Sequence, residues 1–409
     1  MARLATIATL VTSAASISAC GSVGSNDDEV GETTQSETST IATDTNTDTT
    51  SADSSDTGEP GVESYDQPGP WPVGTTSFVL ADPMGDRELH VQLWYPAVQG
   101  VATGDPIGAF VTVEPDAAAF QDLVDAAPEP CTRKLTSSAF DVAPTAEPGA
   151  PWPTVLFSHC HTCTRFSSYS IAERLAGHGF LVAAVDHAGN TLFEELAGDP
   201  LPVDAATLAL RSADMQRLLD ELLDPSASSL PAAFIGLADS ERVGVFGHSF
   251  GSVTTGKLLQ DDDRFIAGVG IAAPFESPLL PGIAMADIDE PLLLLVAVED
   301  NSITEIGNNI LRSNFTSANT PAWKIEFADA GHWSFSDICD LIPGFQPGCG
   351  EGQRQTNQSE TFTYLDNTQA RDLAATKVTS FFALTLRGEV EARTQLEAPD
   401  PVLDIAVRE

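Results

Sequence analysis

The rhythm of apolar positions divides this chain into three parts. Residues 4–19 form one apolar and small-residue stretch, residues 21–70 hold few apolar positions, and from residue 71 onward short apolar runs alternate with longer helical stretches separated by turn residues. In the third part, residues 75–81 and 89–95 are predicted strands flanking Asp82-Pro83-Met84-Gly85-Asp86, which makes a hairpin. Residues 97–150 are rich in Ala, Pro and Asp with weak periodicity, so an irregular surface excursion is expected there. The runs at 154–158, 180–185, 243–246, 265–271, 291–298 and 323–327 are continuously apolar rather than alternating. Helices are predicted near 168–176, 205–223, 252–259 and 368–386. Apolar strands joined by helices indicate an α/β fold with a mostly parallel, doubly wound sheet covered on both faces, the antiparallel hairpin preceding it. The last helix is expected to close one edge. No repeat of 20 to 50 residues is visible.

Charge refines this division. The 409 residues include 59 Asp and Glu against 19 Lys and Arg, a net charge of −40, which excludes the basic footprint of a nucleic-acid binder. Residues 21–70 contain 12 acidic residues and no Lys or Arg in long Thr/Ser/Asp/Gly runs, too little apolar area to offset ordering entropy. They are expected to be a disordered acidic tether, leaving residues 71–409 as the folded domain. Removing the tether's −12 and the +1 of residues 1–20 leaves −29 on residues 71–409, a balance that favours solubility or a salty habitat over a specific cationic partner. The longest apolar run after residue 20, at 291–298, is far below the roughly 20 residues a membrane helix needs.

The first 20 residues have the layout of a secretory signal: Arg3, the apolar stretch, then Ile17-Ser18-Ala19-Cys20-Gly21. That ending resembles the lipobox of bacterial lipoproteins, which implies lipidation of Cys20. Gly21, where an inner-membrane retention signal would place Asp, implies an outer-membrane or cell-surface destination. The membrane is thus an expected partner through a lipid anchor.

The chemistry lies at strand ends. Gly247-His248-Ser249-Phe250-Gly251 follows a predicted strand and opens a predicted helix, the context a G-x-S-x-G nucleophile elbow requires. Small residues at its ends permit a sharp turn that lifts the serine hydroxyl above the sheet and aims the next helix N-terminus at developing charge. A serine nucleophile needs a base, and His332 lies in a loop after the last predicted strand, where this chain order puts it. His159, His178 and His187 are read as capping strands and helices. The acid should lie between Ser249 and His332 in sequence and beyond a strand end. Asp300, after the run ending at Val298, is the first choice, with Glu299 the alternative and helix capping the bland role for Asp300.

These residues, with Gly69-Pro70-Trp71-Pro72-Val73-Gly74, Leu93-Trp94-Tyr95-Pro96, Phe157-Ser158-His159, residues 181–187 and Arg211 with Asp214, resemble the secreted α/β-hydrolases grouped with platelet-activating-factor acetylhydrolases and bacterial dienelactone-hydrolase-like proteins. The resemblance implies the α/β-hydrolase fold, nucleophile Ser249, base His332, and an oxyanion hole from the backbone N–H groups of Phe250 and His161. In the mammalian members the acid follows the strand after the elbow. Here that place reads Ile271-Ala272-Ala273, so the resemblance moves the acid to the next strand and Asp300. The loop Ser158-His159-Cys160-His161-Thr162-Cys163 has Cys160 and Thr162 where the family has Gly. The implied activity is hydrolysis of short-chain acyl esters or acetylated phospholipids through an acyl-enzyme, without a cofactor. A lipase or cutinase-like polyester hydrolase is the rival of the same class, and a non-catalytic surface binding lipoprotein the rival of another.

Setting Cys20 aside leaves five cysteines, an odd number for an exported chain. Cys339 and Cys349 enclose a Pro/Gly-rich stretch after the His332 loop, and a disulfide between them is expected. One pair should form among Cys131, Cys160 and Cys163: a link from Cys131 to the oxyanion loop, with a local Cys160 to Cys163 bond as the alternative. A zinc site from Cys160, His161 and Cys163 is set aside in favour of a disulfide.

Overall fold

The computed structural model describes residues 64–81, 87–146, 149–319 and 321–409. The predicted leader, Cys20, the hairpin turn and nearly all of the tether lie outside the described residues. The expected boundary at residue 70 is corrected by Tyr65, which is 2% exposed and receives a bond from Arg174 Nη1 to its carbonyl at 2.7 Å. An aromatic side chain within an otherwise polar stretch already belongs to the folded unit.

The strands are β1 (Val73–Leu80), β2 (Leu89–Pro96), β3 (Ser138–Phe140), β4 (Trp152–Ser158), β5 (Leu181–Val185), β6 (Ala238–His248), β7 (Phe265–Ile271), β8 (Leu292–Ala297), β9 (Ala322–Phe327), the small ribbon β10 (Glu351–Gln353) and β11 (Thr361–Thr363), and β12 (Leu403–Arg408). The helices are α1 (Asp116–Ala126), α2 (Tyr169–Gly177), α3 (Leu192–Ala197), α4 (Ala205–Leu223), α5 (Phe250–Asp261), α6 (Thr304–Ser317), α7 (Asn367–Leu386) and α8 (Ala392–Leu396). Ten strands form one sheet in the order β12-β9-β8-β7-β6-β4-β5-β2-β1-β3. Its centre, from β9 to β5, is parallel, while β2 pairs antiparallel with both β1 and β5.

Strand β8 explains the architecture. Leu293, Leu295 and Ala297 enter the core on the side of α2 and α7, whereas Leu292, Leu294 and Val296 enter the core shared with α4, α5 and α6. Both faces are dry, so an all-apolar run is what the position requires. Helix α7 buries Ala370, Ala374, Val378, Phe381 and Phe382 against that sheet face. It therefore covers the sheet face rather than closing an edge as expected. The edge belongs to β12, which pairs antiparallel with β9 and is only partly buried, its alternating Leu-Asp-Ile-Ala-Val-Arg too short to stand out near a terminus. The excursion after β2 is likewise more ordered than its periodicity indicates. It holds α1, which buries only Phe120 and Val124, and β3, which adds to β1 in parallel.

Candidate active site

Elbow geometry begins with two contacts that exclude side chains. A Cβ on Gly247 would stand 2.0 Å from the Gly251 carbonyl oxygen, and one on Gly251 would stand 1.8 Å from that of Ser158. These glycines let α5 start immediately above β6 and lie against the end of β4. Ser249 between them has φ 57° and ψ −118°, a conformation that L residues rarely adopt, and its N–H donates to the Ile271 carbonyl at 2.8 Å. The hydroxyl-bearing residue is partly exposed while both neighbours are buried.

Asp300 follows β8 and His332 follows β9, so both project from the same carboxyl end of the sheet as Ser249. His332 Nδ1 donates to Asp300 Oδ2 at 2.7 Å. The other carboxylate oxygen accepts the backbone N–H groups of Ser302 at 2.9 Å and Ile303 at 3.0 Å. Asp300 thus both caps a turn and faces the imidazole. Glu299 points elsewhere: it pairs with Arg354 Nη1 at 3.0 Å and accepts the Gln355 N–H at 2.8 Å.

Among the described residues Ser249 and His332 share no hydrogen bond, and their approach runs through the preceding residue. His248 Nε2 donates to the His332 carbonyl at 2.9 Å, the two rings lie 5.0 Å apart, and Trp333 packs edge-on against both. Burial, followed by proximity to His332, pushes the His248 imidazole down to about 3, so it is neutral at neutral pH.

The loop after β4 stands beside the elbow, the rings of His161 and Phe250 being 6.4 Å apart. Thr162 has φ 57°, the left-handed conformation that glycine would take without strain. A disulfide between Cys160 and Cys163 spans it, and His161 Nε2 bonds to the Leu201 carbonyl at 2.9 Å. The loop therefore keeps a tight turn without glycine, and the thiols a zinc site would need are bonded to each other.

The expected Cys339 to Cys349 disulfide is overturned. Cys349 pairs with Cys131, 218 residues away in sequence, and Cys339 is a free thiol that burial pushes up to about 12. The reason is local packing. Thr132 bridges Ile338 and its hydroxyl donates to the Cys339 carbonyl at 2.6 Å, which runs the Cys131 segment alongside the turn and leaves the Cys339 side chain inside. The brace still reaches the His332 loop, because Ser334 Oγ donates to the carbonyl of Gly348, next to Cys349, at 2.7 Å.

Sequence reading missed a second buried constellation. His187, treated as a capping residue, donates from Nδ1 to Asp214 at 2.9 Å and accepts at Nε2 from Ser158 Oγ at 3.0 Å. Ser158 and His187 are wholly inaccessible, so this Ser-His-Asp set cannot meet a substrate. The only signal for it was the co-occurrence of Ser158, His187, Arg211 and Asp214 among the pieces that carried the resemblance.

A parallel sheet under an elbow serine, with an Asp-His pair at neighbouring strand ends, defines an α/β-hydrolase. The dienelactone hydrolase family model matches residues 140–383, more than half the chain, and the chain belongs to that family. The platelet-activating factor acetylhydrolase, isoform II, model matches residues 58–193. Among individual relatives, the chain is 25% identical over 233 residues to chicken (Gallus gallus) platelet-activating factor acetylhydrolase, covering 47% of this chain and 54% of that one. It is 27% identical over 158 residues to the bovine (Bos taurus) protein of that name, covering 31% and 36%. The chain thus spans about half or less of the length of these relatives. A ferulic acid esterase from Streptomyces cinnamoneus superposes with a TM-score of 0.59 at 22% identity, covering 85% of this chain and all of that one, a likeness of fold.

Proposed function

We propose that this chain is a serine hydrolase that cleaves carboxylic esters through an acyl-enzyme, with Ser249 as nucleophile, His332 as general base and Asp300 as its orienting acid. The observation that carries the reading is the 2.7 Å Asp300 to His332 bond beyond the ends of β8 and β9, at the same carboxyl end of the sheet as the strained elbow serine after β6. In the proposed step, Ser249 Oγ attacks the ester carbonyl carbon while His332 Nε2 takes its proton. Asp300 holds Nδ1–H and so orients the ring. The tetrahedral oxyanion is met by the N–H groups of Phe250, at the start of α5, and His161. On collapse, His332 returns the proton to the departing alkoxide. Water, deprotonated by the same imidazole, then releases the acid and regenerates Ser249.

Short-chain acyl esters, acetylated phospholipids included, are the proposed substrates, supported by the matching acetylhydrolase model and by the names of the vertebrate relatives. We place the protein at a bacterial outer membrane or cell surface through lipidated Cys20, a reading that rests on the leader sequence alone. Two experiments on the full chain test these points. Turnover of p-nitrophenyl esters graded from acetate to palmitate, with fluorophosphonate labelling of wild type and Ser249→Ala, should show a short-chain optimum and labelling that the substitution abolishes. An optimum at long chains would favour the lipase reading, and absence of both turnover and labelling would favour a binding lipoprotein. Fractionation of Cys20→Ser should move the protein from membrane to soluble fractions.

A further inference from the structure

Arg211 on α4 is fully buried, and its guanidinium makes contacts with both sides of the site. Toward the loop after β4, Nη2 donates to Ser158 Oγ at 3.1 Å and to the His159 carbonyl, and Nη1 donates to Asn190 Oδ1 at 2.6 Å. Toward the elbow helix, Nε donates to Thr254 Oγ1 at 3.2 Å, and the guanidinium carbon stands 4.7 Å over the Phe250 ring. Thr254 in turn donates to the Phe250 carbonyl at 3.0 Å. Every hydrogen-bond partner is a neutral oxygen.

The surrounding residues reinforce the loop side of this contact. Ser158 passes its proton direction on to His187 Nε2, His187 Nδ1–H goes to Asp214, and Asp214 pairs with Arg87. The His187 backbone N–H donates to His159 Nε2 at 3.0 Å, leaving His159 Nδ1–H for the Cys160 carbonyl at 2.7 Å. Asp214, one helical turn from Arg211, is the nearest counter-charge, yet it is engaged by Arg87 and His187 rather than by Arg211.

A buried cation without a contacting carboxylate is costly, and an apolar side chain of similar volume would satisfy stability better. Placed beside two candidate oxyanion donors, such a charge has a use where negative charge develops. We propose that Arg211 is the positioning residue of the oxyanion hole, tying the loop that carries the His161 N–H to the helix that carries the Phe250 N–H and setting a positive field behind both. The inference rests on the ester-hydrolase reading of Ser249. Arg211 touches no substrate; it acts through the two donors, whose placement matters only once the carbonyl oxygen becomes an oxyanion.

The test uses the full chain, p-nitrophenyl acetate, and an alkyl trifluoromethyl ketone, which captures a serine nucleophile as a hemiketal oxyanion. Arg211→Met should lower kcat by about 100-fold, the scale of a displaced oxyanion donor, with KM within about threefold of wild type. The trifluoromethyl ketone should weaken by the same factor, and Arg211→Lys should recover part of both losses. Unchanged kcat in a folded Arg211→Met protein, or a fall in kcat with ketone affinity intact, overturns the proposal. If Arg211→Met does not accumulate, Thr254→Val, which removes the Nε bond together with the hydroxyl's own bond to the Phe250 carbonyl, is compared with Thr254→Ser, which keeps both, and with Arg211→Lys: parallel losses in kcat and ketone affinity in Thr254→Val and Arg211→Lys but not in Thr254→Ser support the clamp, and wild-type values in either Thr254→Val or Arg211→Lys overturn it. Ser249→Ala separates the two levels of inference. If it keeps turnover, the ester-hydrolase reading falls and the clamp with it; if it is inactive while the Arg211 variants are unimpaired, only the clamp falls.

Discussion

His332 Nδ1 lies 2.7 Å from Asp300 Oδ2, and the second oxygen of that buried carboxylate is held by two backbone N–H groups. The carboxylate is thereby fixed in both position and orientation before any substrate arrives. This arrangement selects the tautomer of His332 that leaves Nε2 free to accept a proton. Neighbouring Glu299, one residue earlier, is turned the other way by Arg354 and the Gln355 N–H.

The two carboxylates should therefore respond differently to removal of charge. Asp300→Asn is expected to lower kcat by about 10⁴-fold, because an amide cannot hold the same tautomer. Glu299→Gln should leave turnover near wild type and lower thermal stability, since it weakens the anchor of the β10-β11 ribbon. Steady-state kinetics and melts of the two variants check the assignment. A crippled Glu299→Gln beside an active Asp300→Asn would reverse it.

Ser249 has a separable effect on stability. Its φ of 57° with ψ −118° lies where an L residue is strained by about 1–3 kcal/mol. Ser249→Ala carries the same Cβ and should melt as wild type does. Ser249→Gly relieves the strain but loses more chain entropy on folding, leaving a net gain of about 1 kcal/mol. Urea unfolding of the two variants measures the difference, and a Gly variant less stable than the Ala variant would remove strain from the account.

How much of this was legible in the sequence depended on whether the signal was local. The apolar run at β8 announces a strand buried on both faces, and the glycines at 247 and 251 announce a close approach, because each is a property of a few adjacent residues. Ser249, Asp300 and His332 follow from chain order along such strands. The cysteine pairing does not: Cys131 and Cys349 meet because the excursion after β2 runs along the turn after His332, a relation between segments that no spacing encodes. For the same reason Arg211 was visible as a residue but not as a bridge, since its partners come from three separate stretches of chain.

The pairing itself can be checked directly. Non-reducing peptide mapping of the purified protein should recover Cys131 joined to Cys349 and Cys160 joined to Cys163, with Cys339 alkylated only after denaturation. Replacing Cys131 and Cys349 together by Ser should cost about 2–5 kcal/mol, as expected for a bridge closing a long loop. Because Gly348 receives the Ser334 hydroxyl, the same variant should lose turnover before it loses its fold. A map joining Cys339 to Cys349 would refute this connectivity.

Acid should destabilise the protein through histidines that folding keeps neutral. His248 is the clearest case, lowered from its ordinary 6.5 to about 3 by burial first and by the neighbouring His332 second. His159 and His187 are also held well below the usual range by burial and then by Arg211. The sign follows from proton counting. Below 6.5 the unfolded chain takes up a proton at each site and the folded chain does not, so stability present above that pH is lost as pH falls toward 3, by about 1.4 kcal/mol per pH unit per group. Buried Asp214, raised to about 6 mainly by desolvation, works in the opposite direction between 3.8 and 6, as do the raised carboxyls of Glu173 and Asp337 above their ordinary values. A paired comparison cancels these contributions. Gln at position 248 can still donate to the His332 carbonyl but cannot titrate, so between pH 7.5 and pH 5 His248→Gln should lose about 2 kcal/mol less stability than wild type. Urea unfolding at the two pH values measures this difference, and equal losses in the two proteins would mean that His248 is protonated in the folded state as readily as in the unfolded one.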